Sequence, residues 1–395
     1  MTRARWTERL AVAQASRARA DGLRRRRVVE QIDGVRVRVD GHSLINFCSN
    51  DYLGLAASLD AVAALQEAAA WHGVGSGASA LVSGHHALHA AFEREAAEWL
   101  GYERALFFPS GYQANLAAMQ GLLEPGDLCV QDKLNHACLI DGARLAGAEL
   151  KRYPHRDFAG ALRQLQAMPE AAALLATDSV FSMDGDVAPL RELALAATGE
   201  HALFLVDEAH GVGVMGPDGR GACAAAGLSA RDVPVMVVPM GKAFGGQGAL
   251  VLGAQPLIEH LLQTARPYVF STSAAPAMAA AMSANLRAIQ NEGWRRAKLA
   301  SLVARFRRGA LRCGLPLIPS STAIQPVLLG SNSRALAVAK ALEQRGLWVT
   351  PIRPPAVPDG KARLRITLTA AHGEAEVDAL IDALAICLDE AENPA

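Results

Sequence analysis

Apolar residues recur along the chain in two rhythms, and together these rhythms predict an α/β protein. Short apolar runs such as ALFLVDEA (202–209) and PVMVVPMG (234–241) are typical of buried strands. They alternate with longer stretches of helical spacing that are rich in Ala and Leu, for example RELALAATGE (191–200). Strands that alternate with helices favour a largely parallel sheet whose faces are covered by helices.

Other segments predict particular elements. Residues 35–47 alternate at period two around Asp40-Gly41, which predicts a β-hairpin with a two-residue turn. DGARLAGAEL (141–150) has the composition of a helix. A much longer helical stretch is expected from about Pro276 to Cys313, and it interrupts the strand–helix alternation.

These changes of rhythm predict three parts of the chain. Residues 1–50 would form an N-terminal helix and hairpin segment, and residues 51–285 the large α/β domain. Residues 286–395 would form a smaller C-terminal domain of mixed α+β type, which ends in an amphipathic helix.

Charge and cysteine usage exclude several classes of protein. The 39 Lys and Arg residues balance 39 Asp and Glu residues, so no overall field would attract nucleic acid or a membrane. The basic run Arg24 to Arg27 is best interpreted as a solvated helix end. The six cysteines form no CxxC pair, the N-terminus does not resemble a signal peptide, and no apolar run approaches about 18 residues. A cytoplasmic protein is expected.

The stretch FLVDEAHGVGVMG (204–216) contains the letters of two nucleotide-binding motifs. A DEAH helicase would need a phosphate loop GxxxxGK[ST], but Gly241-Lys242 and Gly360-Lys361 are both followed by Ala. A dinucleotide-binding GxGxxG should open a helix, yet the text after Gly216 is PDGRGA. The residues therefore argue against ATP and against a dinucleotide.

Asp207 and Lys242 together favour a different cofactor. Each follows an apolar strand, and ligands of open α/β sheets bind outside the carboxyl ends of strands. Alone, Asp207 could merely cap a turn and Lys242 could be a surface residue. As a pair they suit pyridoxal phosphate, because the carboxylate keeps the pyridine nitrogen protonated and the amine carries the aldehyde.

Two further constellations carry less weight. His85 and His89, four residues apart, could share a helix face and bind zinc, but no Glu follows His85 as in HExxH. A structural role is the favoured interpretation, and no metal is expected. No GxSxG motif occurs, so a serine hydrolase is not supported.

Motifs along nearly the whole chain, from about Arg24 onwards, resemble the α-oxoamine synthases, a family of pyridoxal-phosphate enzymes. This resemblance implies a fold type I, aspartate-aminotransferase-like α/β architecture. The stretches that carry it are NFCSNDYLGLA, GVGSGAS, LVSGHHALH, FPSGYQAN, LNHACLIDGARLAGA, TDSVFSMDGDVAPL, VDEAHGVGVMGPDGRG, GKAFGGQGA, ARPYVFSTS and IRPPAVP with ARLRITLTAAH.

The resemblance implies roles for individual residues. Lys242 would bind the cofactor and later remove the Cα proton of the amino acid, while Asp207 pairs with the ring nitrogen. His136 would stack on the ring, and His210 would contact its phenolic oxygen. The other implied cofactor contacts are Ser110, Gly111, Tyr112 and Ser182, with Ser271 and Thr272 reaching the phosphate of a neighbouring subunit.

The implied reaction is the decarboxylative condensation of L-alanine with a pimeloyl thioester. Arg365 would hold the amino-acid carboxylate, and Arg24, Ser76 and Arg353 are further candidates for substrate contacts. A homodimer is expected, and an acyl carrier protein is a candidate partner alongside coenzyme A. A sister enzyme that uses glycine, and a non-catalytic carrier of the cofactor, stay open as alternatives.

One departure from the family pattern concerns the cofactor phosphate. The family usually has a Thr three residues before the lysine, and its hydroxyl donates to the phosphate. Pro239 occupies that position here and has neither a hydroxyl nor an N–H. One phosphate contact is therefore expected to be lost or replaced.

Overall fold

The computed structural model describes residues 5–392, which divide into two compact units. The central unit comprises residues 50–182 and 186–299, and the terminal unit comprises the remaining described residues, 5–49, 183–185 and 300–392. The predicted domain boundaries at residues 50 and 285 stay a prediction.

The strands are β1 (Val29–Asp33), β2 (Arg36–Val39), β3 (His42–Asn46), β4 (Arg104–Phe108), β5 (Leu128–Asp132), β6 (Glu149–Tyr153), β7 (Ala173–Asp178), β8 (Leu203–Asp207), β9 (Val235–Pro239), β10 (Ala249–Gly253), β11 (Ile324–Gly330), β12 (Leu347–Trp348), β13 (Thr350–Ile352) and β14 (Ala362–Thr367). The α-helices are α1 (Trp6–Arg19), α2 (Leu59–His72), α3 (Ala87–Leu100), α4 (Gly111–Leu122), α5 (Ala137–Ala146), α6 (Phe158–Leu165), α7 (Leu190–Gly199), α8 (Ala222–Ala225), α9 (Gln255–Thr264), α10 (Arg266–Val269), α11 (Pro276–Asn291), α12 (Gly293–Arg312), α13 (Asn332–Gln344) and α14 (Glu374–Glu392).

The central unit is built on one seven-stranded sheet in the order β4-β10-β9-β8-β7-β5-β6. Neighbours from β9 to β6 run parallel, and β10 is antiparallel to both β4 and β9. The predicted α/β class with a largely parallel sheet is therefore confirmed. Strands β5 and β10 are buried at every position, as expected where both faces of a sheet are covered.

Helices α4 and α5 pack closely beside this sheet because a glycine lies between them. Gly142 of α5 has no side chain, and a Cβ built on it would lie 2.7 Å from Met119 Cβ of α4. Both residues belong to the apolar region in which Leu139 and Ala143 are also buried. Close helix contact at this point depends on the absence of a side chain.

The terminal unit contains two smaller sheets, ordered β1-β2-β3-β12 and β11-β14-β13. The predicted hairpin is present as β2 and β3, which pair antiparallel. Its turn residues Asp40 and Gly41 have φ of 49° and 82°, the left-handed values that a type I′ turn requires.

Two sequence-based expectations about helices need correction in part. The stretch from Pro276 to Cys313 is helical as expected, but it consists of two helices, because Glu292 leaves the helical region with ψ of 53° and separates α11 from α12. The helix predicted over 141–150 ends at Ala146, where Gly147 adopts a left-handed φ of 78°. Strand β6 follows, and the Ala-rich composition concealed it.

Within residues 5–392, every helix falls short of the combined length and apolarity that a membrane crossing requires. The described His, Cys, Asp and Glu side chains do not come together in any group of three that could hold a metal ion.

The α4–α5 contact can be tested by adding one methyl group. We expect Gly142→Ala to lower the free energy of unfolding by about 1–3 kcal/mol, because the new Cβ would overlap Met119. Gly199→Ala at the end of α7 is the matched control, since nothing lies within 4 Å of its added Cβ, and we expect it to be neutral or slightly stabilising. Urea unfolding measures both, and equal midpoints for the two variants would contradict this packing.

Candidate active site

A cavity of about 290 Å³ opens in the central unit and gathers most of the predicted cofactor residues. It contains Asp207 at the carboxyl end of β8 and Pro239 at the carboxyl end of β9, the edge where open α/β sheets bind ligands. The predicted residues that line it are Ser110, Gly111, Tyr112, His136, Ser182, Asp207, His210 and Lys242.

Asp207 is a buried carboxylate with two donors from its own chain. Its side chain is 3% exposed. Asn115 Nδ2 donates to Oδ2 at 2.6 Å, and the Ala209 amide donates to Oδ1 at 2.8 Å. Asn115 comes from α4 and was missed by sequence reasoning, although a polar residue on a buried helix face was a usable signal.

Asp178 is a second buried carboxyl group beside Asp207, and it too was missed. The two residues pair in register on the parallel strands β7 and β8. Asp178 Oδ2 accepts the backbone N–H of His136 at 2.6 Å. Burial raises the pKa of Asp178 well above its usual range, and the neighbouring Asp207 raises it further.

His136 caps the N-terminus of α5 and lines the cavity. Its Nδ1 accepts the Cys138 amide at 3.3 Å and lies 2.8 Å from Cys138 Sγ. Because a backbone N–H can only donate, Nδ1 carries no proton in this arrangement. The side chain keeps an exposed face, yet the pKa of His136 is lowered because the surrounding protein disfavours a charged ring. The neutral imidazole is suited to lie against an aromatic cofactor.

His210 and Glu208 follow Asp207 but have different surroundings. His210 is buried, with Nδ1 2.6 Å from the hydroxyl of Tyr52, so Tyr52 is a further residue that sequence reasoning missed. Glu208 accepts from Ser179 Oγ at 2.8 Å and from the Cys223 amide at 2.6 Å. Burial raises the pKa of Glu208, and it does not line the cavity. Asp207 and His210 therefore line the cavity, whereas Glu208 bonds to Ser179 and Cys223.

Lys242 stands in a glycine-rich turn after β9. Gly245 N–H donates to the Lys242 carbonyl at 2.8 Å, and Gly246 N–H donates to the Met240 carbonyl at 2.9 Å. Gly245 has φ of 65°, and a Cβ there would lie 2.3 Å from the Ala56 amide nitrogen. The turn that presents Lys242 to the cavity therefore requires glycine at this position.

The N-terminus of α4 supplies an anion-binding end to the cavity. Ser110 is its N-cap and accepts the Gln113 amide at 3.3 Å. Pro239 packs against Gly111 so tightly that a Cβ on the glycine would lie 2.8 Å from the proline ring. Free amide groups of the first helical turn can bind a phosphate there, while Pro239 adds no donor.

These residues fit pyridoxal phosphate group by group. The buried carboxylate of Asp207 complements a protonated ring nitrogen, the Lys242 amine can bind an aldehyde, and the α4 N-terminus suits the phosphate. The orphaned Asn115 Oδ1 is a buried acceptor with no partner in the described part of the chain, as expected beside a polar ligand.

A second cavity, of about 570 Å³, lies within the terminal unit and brings together two predicted substrate residues. Arg24 and Arg353 both line it, beside the apolar side chains of Leu23, Trp348 and Ile352. The Arg353 guanidinium donates to the carbonyl of Asp21 and, at 3.4 Å, to that of Leu23, which fixes the chain that carries Arg24.

The other predicted substrate and phosphate residues lie outside the two cavities as they stand in one chain. Arg365 is a buried residue of β14, where it pairs in register with Thr350. Ser76 is buried, with Oγ 2.9 Å from the Ser273 carbonyl. Ser271 and Thr272 do not line the central cavity within the described residues, and their contact with the phosphate of another subunit stays a prediction.

The histidine pair at the start of α3 has no metal-binding geometry. His85 Nε2 lies 2.9 Å from Glu93 Oε2, and this bond raises the pKa of His85. His89 bonds to backbone groups instead, through the His86 amide and the Ala274 carbonyl. The pair therefore has structural partners.

Comparison with known proteins defines the class of this molecule. The family described as aminotransferase class I and II matches residues 42–384. The chain belongs to this family. It is a pyridoxal-phosphate-dependent acyltransferase, as its relatives show, and the cavity residues fit that cofactor.

Those relatives are 8-amino-7-oxononanoate synthases. The enzyme of that name from Stenotrophomonas maltophilia is 58% identical over 390 residues, covering 98% of this chain and 96% of the relative. The one from Xanthomonas axonopodis pv. citri is 54% identical over 378 residues, covering 95% of this chain and 94% of the relative. The resemblance to the α-oxoamine synthases is thereby confirmed.

Solved structures support the fold type I architecture. A serine palmitoyltransferase from Sphingomonas wittichii matches with a TM-score of 0.93 at 30% identity, covering 98% of this chain and 99% of that one. A variant of the enzyme from S. paucimobilis, with bound pyridoxal phosphate and myriocin, matches at 0.94 and 28% identity, covering 98% of this chain and 100% of that one. An 8-amino-7-oxononanoate synthase from Francisella tularensis matches at 0.77 and 30% identity, covering 88% of this chain and 98% of that one.

The raised pKa of Asp178 predicts that the stability of the protein without cofactor depends on pH. Its raised pKa means that the folded chain keeps a proton that the unfolded chain releases above about pH 4. Stability should therefore fall as the pH rises from there towards the raised pKa, by up to about 1.4 kcal/mol per pH unit. Asp178→Asn does not titrate, so we expect its stability advantage over wild type to grow with pH.

Thermal unfolding midpoints measured from about pH 5 to about pH 8 would show this trend. Asp359→Asn, at an exposed position, is the control and should track wild type throughout. An Asp178→Asn advantage that stays constant or shrinks with rising pH would mean that Asp178 is ionised in the folded protein.

Proposed function

We propose that this enzyme condenses L-alanine with a pimeloyl thioester, releasing CO₂ and the free thiol of coenzyme A or an acyl carrier protein, to give 8-amino-7-oxononanoate for biotin synthesis. The observation that carries the proposal is the terminal-unit cavity, in which arginines border an apolar wall. A pimeloyl chain is apolar along its length and ends in a carboxylate, so it matches both features. Relatives of that name at 54–58% identity support the same reaction.

The cofactor, when bound, acts as an electron sink for the carbanion formed at Cα of the amino acid. Asp207 keeps the ring nitrogen protonated, which makes that sink effective. Lys242 would hold the cofactor through its aldehyde, and its Nζ would take the Cα proton of the amino acid. Arg365 orients the amino-acid carboxylate by a bidentate pair.

His136 and His210 position the ring from two sides. His136 would lie against the ring face, and its lowered pKa favours the neutral imidazole, which avoids placing a cation beside the protonated ring. His210, fixed by Tyr52 at 2.6 Å, would contact the phenolic oxygen. Ser110, Gly111, Tyr112 and Ser182 complete the contacts with the cofactor.

The acyl substrate is held by Arg24 and Arg353, with Ser76 as a further contact. Arg353 is anchored by carbonyls of the 21–23 segment, so its guanidinium is preorganised to receive an anion at the rim of the cavity. Leu23, Trp348 and Ile352 shield the methylene chain from water.

The enzyme acts as a homodimer whose subunits complete each other's phosphate site through Ser271 and Thr272. Exposed apolar side chains on the central unit support this assembly, because Trp71, Val74 and Val82 are 82%, 93% and 79% exposed. Phe270, 71% exposed, directly precedes the two phosphate residues. A second copy would bury these side chains.

The amino-acid substrate can be decided by thiol release. With a pimeloyl thioester, we expect L-alanine to be turned over at least about tenfold more efficiently than glycine, a difference of roughly 1.4 kcal/mol that one methyl contact can supply. Matched reactions with each amino acid, followed by a thiol reagent, make the comparison. Preference for glycine would move the enzyme to the sister activity, whose acyl donor is different.

The acyl chain can be tested with an uncharged analogue. Arg353→Ala should raise KM for pimeloyl thioester by about 10- to 100-fold, the effect of losing a hydrogen bond to a charged group. It should leave KM for heptanoyl thioester, which has the same length and a methyl end, nearly unchanged. An equal effect on both thioesters would show that Arg353 only supports the chain around Asp21 and Leu23.

A further inference from the structure

The segment 271–275, between α10 and α11, is fastened to residues 76–79 by a set of backbone contacts. Ser273 N–H donates to the Ala78 carbonyl at 3.1 Å, and Ser79 forms an isolated antiparallel bridge with Thr272. The Ser273 carbonyl lies 2.9 Å from Ser76 Oγ. These contacts leave Ala274, the next residue, to be held from another direction.

His89 makes a further contact, with the carbonyl of Ala274. It is 2% exposed and lies in the first turn of α3. Its Nδ1 accepts the His86 amide at 3.0 Å, and its Nε2 lies 3.0 Å from the Ala274 carbonyl. Since a backbone N–H can only donate, Nδ1 is the acceptor, and Nε2 must carry the proton that it gives to Ala274.

The surroundings of His89 favour this single neutral form. The pKa of His89 is lowered to about 4, chiefly by burial, with smaller contributions from the nearby His85 and His86. Glu93 is engaged elsewhere, because it bonds to His85 and to the Phe107 amide at 2.8 Å. The direction of the bond to Ala274 is therefore fixed at neutral pH.

We propose that His89 is a positioning residue that holds segment 271–275 in place for the cofactor phosphate of the neighbouring subunit, so that each His89 acts on its partner's active site. This inference rests on the proposed function, in which Ser271 and Thr272 reach across the dimer. It adds a residue that lies in neither of the two cavities of its own chain.

The two ring nitrogens of His89 do separate jobs, and two substitutions separate them. Asn places an acceptor where Nδ1 stands, so His89→Asn keeps the bond to the His86 amide and loses the bond to Ala274. Gln places a donor where Nε2 stands, so His89→Gln keeps the bond to Ala274 and loses the helix cap. The pair distinguishes holding of the segment from stabilisation of α3.

The first experiment titrates pyridoxal phosphate into cofactor-free dimers and follows the visible absorbance of the lysine-bound cofactor. We expect His89→Asn to raise the dissociation constant about tenfold or more, because a displaced segment 271–275 would lose about one hydrogen bond to the charged phosphate. We expect His89→Gln to stay within about threefold of wild type. Sedimentation and thermal unfolding confirm that both variants remain folded dimers.

Three results would overturn the inference. His89→Asn could bind the cofactor like wild type, the two variants could lose affinity equally, or His89→Gln alone could lose it, which would assign the effect to the helix cap. Failure of wild type to bind the cofactor, or to form a dimer, would instead overturn the proposed function on which the inference rests.

A mixed dimer tests action across the interface. One chain carries Lys242→Ala, and the other carries His89→Asn. Only one site can then bind the cofactor through lysine, and its Lys242 belongs to the His89→Asn chain. The segment 271–275 that reaches this site belongs to the other chain, whose His89 is intact. We expect wild-type affinity for this site.

The reciprocal mixed dimer is the control. A wild-type chain is paired with a chain that carries both Lys242→Ala and His89→Asn, so the remaining lysine site meets the altered segment. We expect the affinity of this site to fall about as far as in the His89→Asn homodimer. The opposite order, with weak binding in the first mixed dimer and normal binding in the second, would show that His89 serves its own chain's site.

Discussion

A carboxylate buried at the end of strand β8 is the constraint on which the active site depends. Asp207 has lost nearly all contact with water, and a buried charge is stable only where partners surround it. Asn115 and the Ala209 amide provide two hydrogen bonds from the protein. In the proposed function, the protonated ring nitrogen of pyridoxal phosphate would provide the opposite charge, so that cofactor binding and the burial of Asp207 would support each other.

The neighbours of Asp207 are adjusted to this charge. Asp178 stands beside it in register, and two adjacent buried carboxyl groups repel each other strongly when both are ionised. The raised pKa of Asp178 keeps a proton on it, which removes that repulsion and leaves its oxygen to accept the His136 amide. The pKa of His136 is lowered because the surrounding protein disfavours a charged imidazole, and the nearby Lys242 lowers it further. The surroundings of the two groups thus favour a neutral form of each.

The positions of residues at strand ends were predictable from the sequence, whereas contacts that depend on helix packing were not. The apolar runs before Asp207 and Lys242 indicated that both residues lie at one edge of the sheet, and both line the central cavity. Asn115 reaches Asp207 from the buried face of a helix, and although its polar side chain on that face was a signal, the sequence does not show which partner it contacts. The fold shows the same limit. The Asp40-Gly41 turn is encoded locally, since it joins two strands that pair with each other. Strand β6 instead pairs with β5, and the Ala-rich residues before β6 gave no sign of that pairing.

A crystal structure of the dimer with pyridoxal phosphate would test the central claim most directly. The ring nitrogen should lie about 3 Å from an Asp207 carboxylate oxygen. Lys242 should be joined to the cofactor, and the phosphate should lie at the N-terminus of α4, within reach of Ser271 or Thr272 of the neighbouring chain. A ring nitrogen that faces any group other than Asp207, or a phosphate away from α4, would contradict the account.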